Sequence, residues 1–156
     1  LGPTQKEGPC SRTWACPSEL EGRPVMMTDP IGDMLTRIRN AGLVGHAETR
    51  CPSSSFKQSI ARVLSDEGFV GEIRTEDGGS YSDLVIQLRY KKSGGPMIDG
   101  VQRVSRPSRR VYKKATELPR VRSGLGMTVI STSRGLMCDR DARAANLGGE
   151  VVCEVW

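Results

Sequence analysis

Six residues, Lys91-Lys92-Ser93-Gly94-Gly95-Pro96, constrain this chain more than any other stretch, because no helix or strand runs comfortably through them. The apolar pattern differs on their two sides. Before them, Asp29 as N-cap and Pro30 at the first helical position open a helix whose Ile31, Met34, Leu35 and Ile38 form one buried stripe, with Gly42 as its stop. Arg37 and Asn40 share the polar side of that wheel, and Arg39 flanks the stripe from the other edge. Pro52 to Ser55 starts a second helix, with Phe56, Ile60, Val63 and Leu64 on one face and Gly68 as terminator. A short strand is predicted between them, around His46 to Cys51. Phe69 to Thr75 then reads as a strand, Glu76-Asp77-Gly78-Gly79 as a turn, and Tyr81 to Tyr90 as a strand turning Leu84, Ile86, Leu88 and Tyr90 inward.

Past the seam the periodic segments are short. Met97 to Val104, Val111 to Lys114, Met127 to Ser131 and Val151 to Val155 read as strands, Leu136 to Ala145 as a small helix, and Gly148-Gly149 as the turn into the last strand. The predicted class is α+β with two small lobes: αβαββ over 27–92 and a β-rich lobe with a short helix over 93–156. Residues 1–26 are rich in Pro, Gly and Ser without an apolar stripe, so they read as an irregular extension that Trp14 or Leu20 could anchor on a neighbour.

Charge separates the lobes further. The net charge is +5, and residues 1–26 contribute nothing to it, since Lys6, Arg12 and Arg23 balance Glu7, Glu19 and Glu21. Between Arg89 and Arg122 eleven basic residues face only Asp99 and Glu117, a local net of +9. A block so one-sided points to a polyanion, nucleic acid first, because solubilising faces usually mix signs. No apolar run approaches the ~20 residues of a membrane span.

Catalysis has few candidates. His46 is the only histidine and has no partner that spacing would assign, so pairing it with Cys51 as a nucleophile is arithmetic only. Ser123-Gly124-Leu125-Gly126 lacks the ending of a phosphate loop and reads as a turn. Asp66 with Glu67 and Asp139 with Asp141 sit in helical contexts that suit solvation or dipole complementation. The five cysteines, Cys10, Cys16, Cys51, Cys138 and Cys153, are irregularly spaced, so they are expected to be reduced and to bind no metal together within this chain. No cofactor is implied, and the chain is read as no enzyme.

Two segments carry a more specific signal. Arg103 to Tyr112 alternates apolar with cationic residues around Pro107, an arrangement that presents guanidinium groups as an array for phosphates. Met127 to Ser131 delivers a strand into Thr132-Ser133-Arg134-Gly135, where consecutive hydroxyls suit the edges and 2'-hydroxyls of an RNA minor groove. The plainer reading of this loop is a turn in which Ser133 caps the helix after it. With aromatics at 4% of the chain, structured RNA read by shape fits better than a base-stacking platform.

Taken together, DPIGDMLTRIRNA (29–41), PSSSFK (52–57), RVSRPSRRVY (103–112), LPRVRSGLGMTVISTSRGLMCDRDAR (118–143) and GGEVVCEVW (148–156) closely resemble the bacterial-type small-subunit ribosomal protein number eight family, over roughly 27–156. The resemblance implies a structural constituent of the small ribosomal subunit that binds the central, platform domain of its RNA directly and supports subunit assembly and translation. It implies RNA contacts at Ser131, Thr132, Ser133, Arg134 and Gly135, at Ser105, Arg106, Arg109, Arg110 and Tyr112, and at Arg37, Arg39, Asn40 and Lys57. Expected partners are small-subunit ribosomal RNA and neighbouring small-subunit proteins, with no membrane and no free homo-oligomer. The alternatives are a free RNA-binding translational regulator and, further off, an RNA-processing enzyme.

The chain departs from the family pattern in three places. Ser108 stands where the family usually has Gly, so a changed turn type or mild strain is expected there. Ser55 stands where many members carry Lys. Residues 1–26 have no counterpart and the chain begins at Leu1, which leads to an expected organellar ribosome, a mitochondrion before a plastid, with the bacterial cytoplasm as alternative.

Overall fold

The computed structural model describes residues 28–78 and 81–156. Expectations for 1–26, including Trp14, Leu20, Cys10 and Cys16, and for Gly79 lie outside the described residues. The architecture is α+β, as predicted. Helix α1 (Pro30–Val44) is followed by β1 (Glu48–Pro52), α2 (Ser55–Asp66), β2 (Val70–Asp77) and β3 (Ser82–Leu88), and then by β4 (Val101–Arg103) and β5 (Tyr112–Lys113). Two short 3-10 turns lead to β6 (Met127–Thr132), β7 (Gly135–Cys138), α3 (Asp139–Ala144) and β8 (Gly149–Val155).

Helix α1 buries Met34, Leu35 and Ile38, but Gly42 does not end it. Gly42 is buried against Pro96 of the seam, where a Cβ would sit 3.3 Å from the proline ring, so its smallness serves a close approach. Gly45 is the stop: it takes φ 87° and donates to the carbonyls of Ala41 and Gly42. Asp29 holds the N-cap position without capping; its carboxylate instead pairs with Arg103 of β4 at 3.2 Å. Helix α2 starts as expected, with Ser54 Oγ accepting from the Lys57 N–H, and Gly68, at φ 81°, follows its end. Phe56 stays 39% exposed, and Lys57 takes an inward place that the apolar stripe had not included.

Strands β1, β3 and β2 form an antiparallel sheet in that spatial order. The hairpin is longer than predicted, since Glu76 and Asp77 pair with Asp83 and Ser82 and the Gly78 N–H donates to the Tyr81 carbonyl. In β3 not only Leu84 and Ile86 but also Val85 is buried. Val85 lies between Arg50 and Arg74, whose stems cover it while their guanidiniums pair with Glu48 and Glu76 at 3.3–3.7 Å. Tyr90 is the end of the alternation and remains partly exposed, its hydroxyl donating to the His46 carbonyl.

The second sheet has β8 at its centre. Strand β6 flanks it on one side and carries β7 beyond it, while β4 and β5 pair in succession along its other side. The expected Met97–Val104 strand contracts to Val101–Arg103, because the Asp99 and Gly100 N–H groups both donate to the Trp156 carbonyl instead of extending a ladder. The expected helix over Leu136–Ala145 is split. Gly135–Cys138 pairs with the open edge of β6, and α3 begins only at Asp139, with Asp139 and Asp141 in its first turn. Val129 of β6 enters the main core with Met34, Leu35, Ile38, Cys153 and Val155. Its neighbour Ile130 packs on the other side with Leu118, Ala142 and Val151. The main core therefore draws side chains from both sides of the seam.

Candidate nucleic-acid interface

Two glycines at the head of β8 set the spacing of the site. A Cβ on Gly149 would fall 2.1 Å from the Ser131 carbonyl oxygen, and one on Gly148 would fall 2.8 Å from that of Lys113. No side chain fits at either place, so β5, β8 and β6 meet backbone to backbone. The next residue, Glu150, then pairs with Tyr112 on one side and Ser131 on the other. Directly opposed residues of antiparallel strands point to the same face, which puts Tyr112, Glu150 and Ser131 in one row about 10 Å long. Tyr112 is 70% exposed, whereas the Glu150 side chain is 14% exposed.

Glu150 organises what surrounds it. Its Oε1 accepts from the Ser105 hydroxyl and, at 2.8 Å, from Arg110. Burial alone would push this carboxyl up, but the hydrogen bonds from Ser105 and Arg110 and the charges of Arg110 and Arg103 outweigh it, holding the group below its ordinary range. It is a carboxylate at neutral pH. Ser105 is fully buried, so its hydroxyl serves this bond and faces no ligand.

The hydroxyl loop is a hairpin turn between β6 and β7, not a cap for a helix. Thr132 Oγ1 donates to the Gly135 carbonyl at 2.9 Å and accepts from the Arg134 N–H at 3.2 Å, which closes the turn from inside. Gly135 takes φ 117°, a conformation suited to glycine. Ser131 and Ser133 alternate with Thr132, and among the described residues neither hydroxyl has a hydrogen-bond partner. Ser133 and Arg134 are exposed. One hydroxyl holds the turn and two are left open.

The basic turn is equally compact. Arg106 and Arg109 exchange backbone hydrogen bonds of 2.9 and 3.0 Å around Pro107 and Ser108. Among the described residues the only non-glycine positions at positive φ are Arg122, Ser123 and Asn146, so Ser108 stands in a turn form that serine adopts without strain. Arg106 and Arg109 are exposed and, among the described residues, pair with no acid; Arg110 has Glu150.

The expected contacts on α1 and α2 bond near their own helices. Arg37 pairs with Asp33 at 2.8 Å and reaches the Arg50 carbonyl of β1, and Arg39 donates to Asn40. Among the described residues the side chains of these three have no hydrogen bond to any residue after the seam. Lys57 is buried, and its ammonium donates to the Pro52 carbonyl at 2.8 Å, bracing the start of α2. The sequence reading missed Glu150. Its signal was present in the glycine pair before it, because two adjacent glycines at the start of a strand mark backbones that touch.

The described thiols are enclosed. Cys51, Cys138 and Cys153 are free and buried; burial pushes the Cys51 thiol up, Cys138 to about 11 and Cys153 to about 12. Asp139 accepts from the Thr128 N–H and lies near Arg143, and Glu67 pairs with Arg140, so these acids serve structure. Among the described residues no three His, Cys, Asp or Glu side chains gather as a metal site, and no described helix is long and apolar enough to cross a membrane.

Comparison with known proteins gives the family. The family model for Ribosomal protein S8 matches residues 29–156. The small ribosomal subunit protein uS8 of Sorangium cellulosum is 54% identical over 131 residues, 84% of this chain and all of that protein. The uS8 of Caldanaerobacter subterraneus is 52% identical over 85% of the chain and all of its own length, and that of Nostoc punctiforme is 53% identical over 82% of the chain and 97% of its own. A match of this length and identity makes the chain a member of the ribosomal protein S8 family.

Proposed function

We propose that the chain binds small-subunit ribosomal RNA directly through the face built by the β6–β7 turn, the Arg106–Arg109 turn and the row across β5, β8 and β6. As a member of its family it is a structural constituent of the small ribosomal subunit, and the family is not an enzyme class. One observation carries the RNA reading: the unpaired guanidiniums of Arg106, Arg109 and Arg134 and the open hydroxyl of Ser133 stand on two tight turns, and that of Ser131 on β6, beside strands whose backbones touch, so charge and shape-dependent contacts share one frame. Phosphates meet Arg106, Arg109 and Arg134, and Ser131 and Ser133 meet the groove. Within this reading residues 93–156 bind RNA, residues 27–92 support them through the shared core, Arg37, Arg39 and Asn40 make a second contact, and 1–26 reach a neighbour. The chain works by binding without turnover, self-association or membrane attachment.

Its place is the ribosome. The relatives named above are bacterial, which lends nothing to a mitochondrial preference. Sedimentation tests the proposal: the chain should stay with small subunits through high salt and should protect a defined segment of their RNA. Release at high salt without such a footprint would favour a free regulator.

A further inference from the structure

Strand β8 changes partners halfway along, and the residue at the change is out of register. Cys153 pairs with Arg103 of β4, whereas Glu150 pairs with Tyr112 of β5. Against β6 the register shifts at the same place: Val129 meets Cys153 and Ile130 meets Val151, so Val152 is an extra residue, a β-bulge. Val152 and Cys153, consecutive in sequence, both enter the main core, while Val151 packs with Ile130 in the second cluster. The bulge decides which residues of β8 reach the face. A slip of one residue would turn Glu150 inward and carry Gly149 away from the Ser131 carbonyl.

One side chain pins that bulge. The Val152 carbonyl accepts from the Val104 and Ser105 N–H groups at 3.2 and 3.4 Å and from Arg103 Nη1 at 2.5 Å. The same guanidinium donates through Nε to Asp29 Oδ2 at 3.2 Å, and its side chain is only 10% exposed. Asp29 belongs to the first lobe, at the mouth of α1, where it leaves the helix N-terminus uncapped. Among the described residues its carboxylate engages no other side chain, and Oδ1 is enclosed without a partner. Asp29 and Arg103 also line one cleft with Arg106, Pro107 and Ser108, so the pair adjoins the basic turn.

We propose that Asp29 and Arg103 are positioning residues: together they lock the Val152 bulge, so that the first lobe sets the register in which β8 presents the RNA face. This rests on the RNA reading above and goes beyond it, since neither residue is asked to touch RNA. Arginine suits the task because its planar fork meets two acceptors in fixed directions, whereas a lysine ammonium is a point charge without that geometry. The pair gives the first lobe a part in RNA choice besides packing the core.

The test uses the whole chain, the small-subunit RNA segment that it protects and an unrelated RNA. Arg103→Lys keeps the charge but cannot hold Asp29 and Val152 in one fork. Discrimination between the two RNAs should fall roughly 10-fold, while the salt slope stays as in the wild type. Asp29→Ala, which removes no cap, should lower discrimination in the same direction and serves if Arg103→Lys fails to fold. Ile60→Val, at a fully buried site of the first lobe, is the control: it loosens the core and should leave discrimination unchanged. Discrimination retained in both variants, or lost equally in the control, overturns the proposal and leaves the RNA reading standing. Equal weakening of both RNAs would make Arg103 a phosphate contact and overturns it as well. Failure of the wild type to prefer any small-subunit RNA segment overturns both readings.

Discussion

Two faces of this molecule are rich in charge, and they are built in opposite ways. On the outer face of the first sheet, Arg50 and Arg74 alternate with Glu48 and Glu76 and pair among themselves, so their stems cover Val85 and their charges are answered locally. On the second sheet, Arg106, Arg109 and Arg134 pair with no acid among the described residues, and the nearby carboxylate of Glu150 engages Arg110. Of these two faces, the second holds cations that no acid among the described residues answers. The difference teaches that a basic composition identifies a binding surface only where the cations lack partners within the fold.

The hardest way to break the comparison is to break the frame of the second face. Gly149→Ala places a methyl group against the Ser131 carbonyl, a backbone atom that cannot move without separating β6 from β8. Urea unfolding should show a loss of about 3 kcal/mol or more, at the upper end of overpacking. Gly45→Ala, at the left-handed cap of α1 with nothing near its Cβ, should cost only about 1 kcal/mol. Equal losses would mean that the strands are not held in contact as described.

Charge removal sharpens the contrast next. Arg106→Gln or Arg109→Gln should weaken cognate and unrelated RNA alike, lowering the salt slope by roughly 0.7 to 0.9 per lost phosphate contact, or about sixfold in affinity near 0.1 M salt. Arg50→Gln and Arg74→Gln remove the same charge from the other face and should leave RNA affinity within twofold. If all four variants behave alike, net charge and not placement governs binding.

The hydroxyls divide within a single turn. Ser131→Ala with Ser133→Ala should reduce affinity for the cognate RNA while leaving the salt slope and the folding stability nearly unchanged, because neither hydroxyl has a partner among the described residues. Thr132→Ala should do the reverse first: it removes both hydrogen bonds that close the turn and should cost about 1 kcal/mol of stability in urea unfolding. Stability loss in the serine variant would show that those hydroxyls also hold the turn.

Much of this was legible because it depends on local pattern. The stripe Met34, Leu35, Ile38 and the Ser54 start of α2 are read directly from spacing, and the cationic run is counted without any structure. The failures share one cause, a partner that lies outside the periodic stripe. Gly42 reads as a stop until Pro96 is seen against it, and Leu136 to Cys138 reads as the start of a helix until the free edge of β6 claims it. Lys57 and Ser105 read as surface donors, yet Pro52 and Glu150 engage them inside. Thr132 looks equivalent to its neighbours in a row of hydroxyls, and only strand alternation separates it from Ser131 and Ser133. Glu150 was hidden by its sign, since an acid draws no attention in a search for cations.

That acid gives the smallest and most selective effect. Its folded carboxyl lies below the ordinary value of about 4.3, so the folded state binds its proton less readily than the unfolded chain does. The stability it contributes is therefore fully present above the unfolded value and is lost as pH falls through the folded one. Glu150→Gln lacks the charge at every pH and resembles the protonated state. The stability gap between wild type and this variant, measured by urea unfolding, should be widest near pH 7, begin to close below about pH 4.3, and shrink further toward pH 3. Ser105→Ala removes one of the two bonds to Oε1 and should leave a smaller gap to close. A gap that stays constant with pH would mean that Glu150 supports the fold through packing alone, and that the open face owes nothing to its charge.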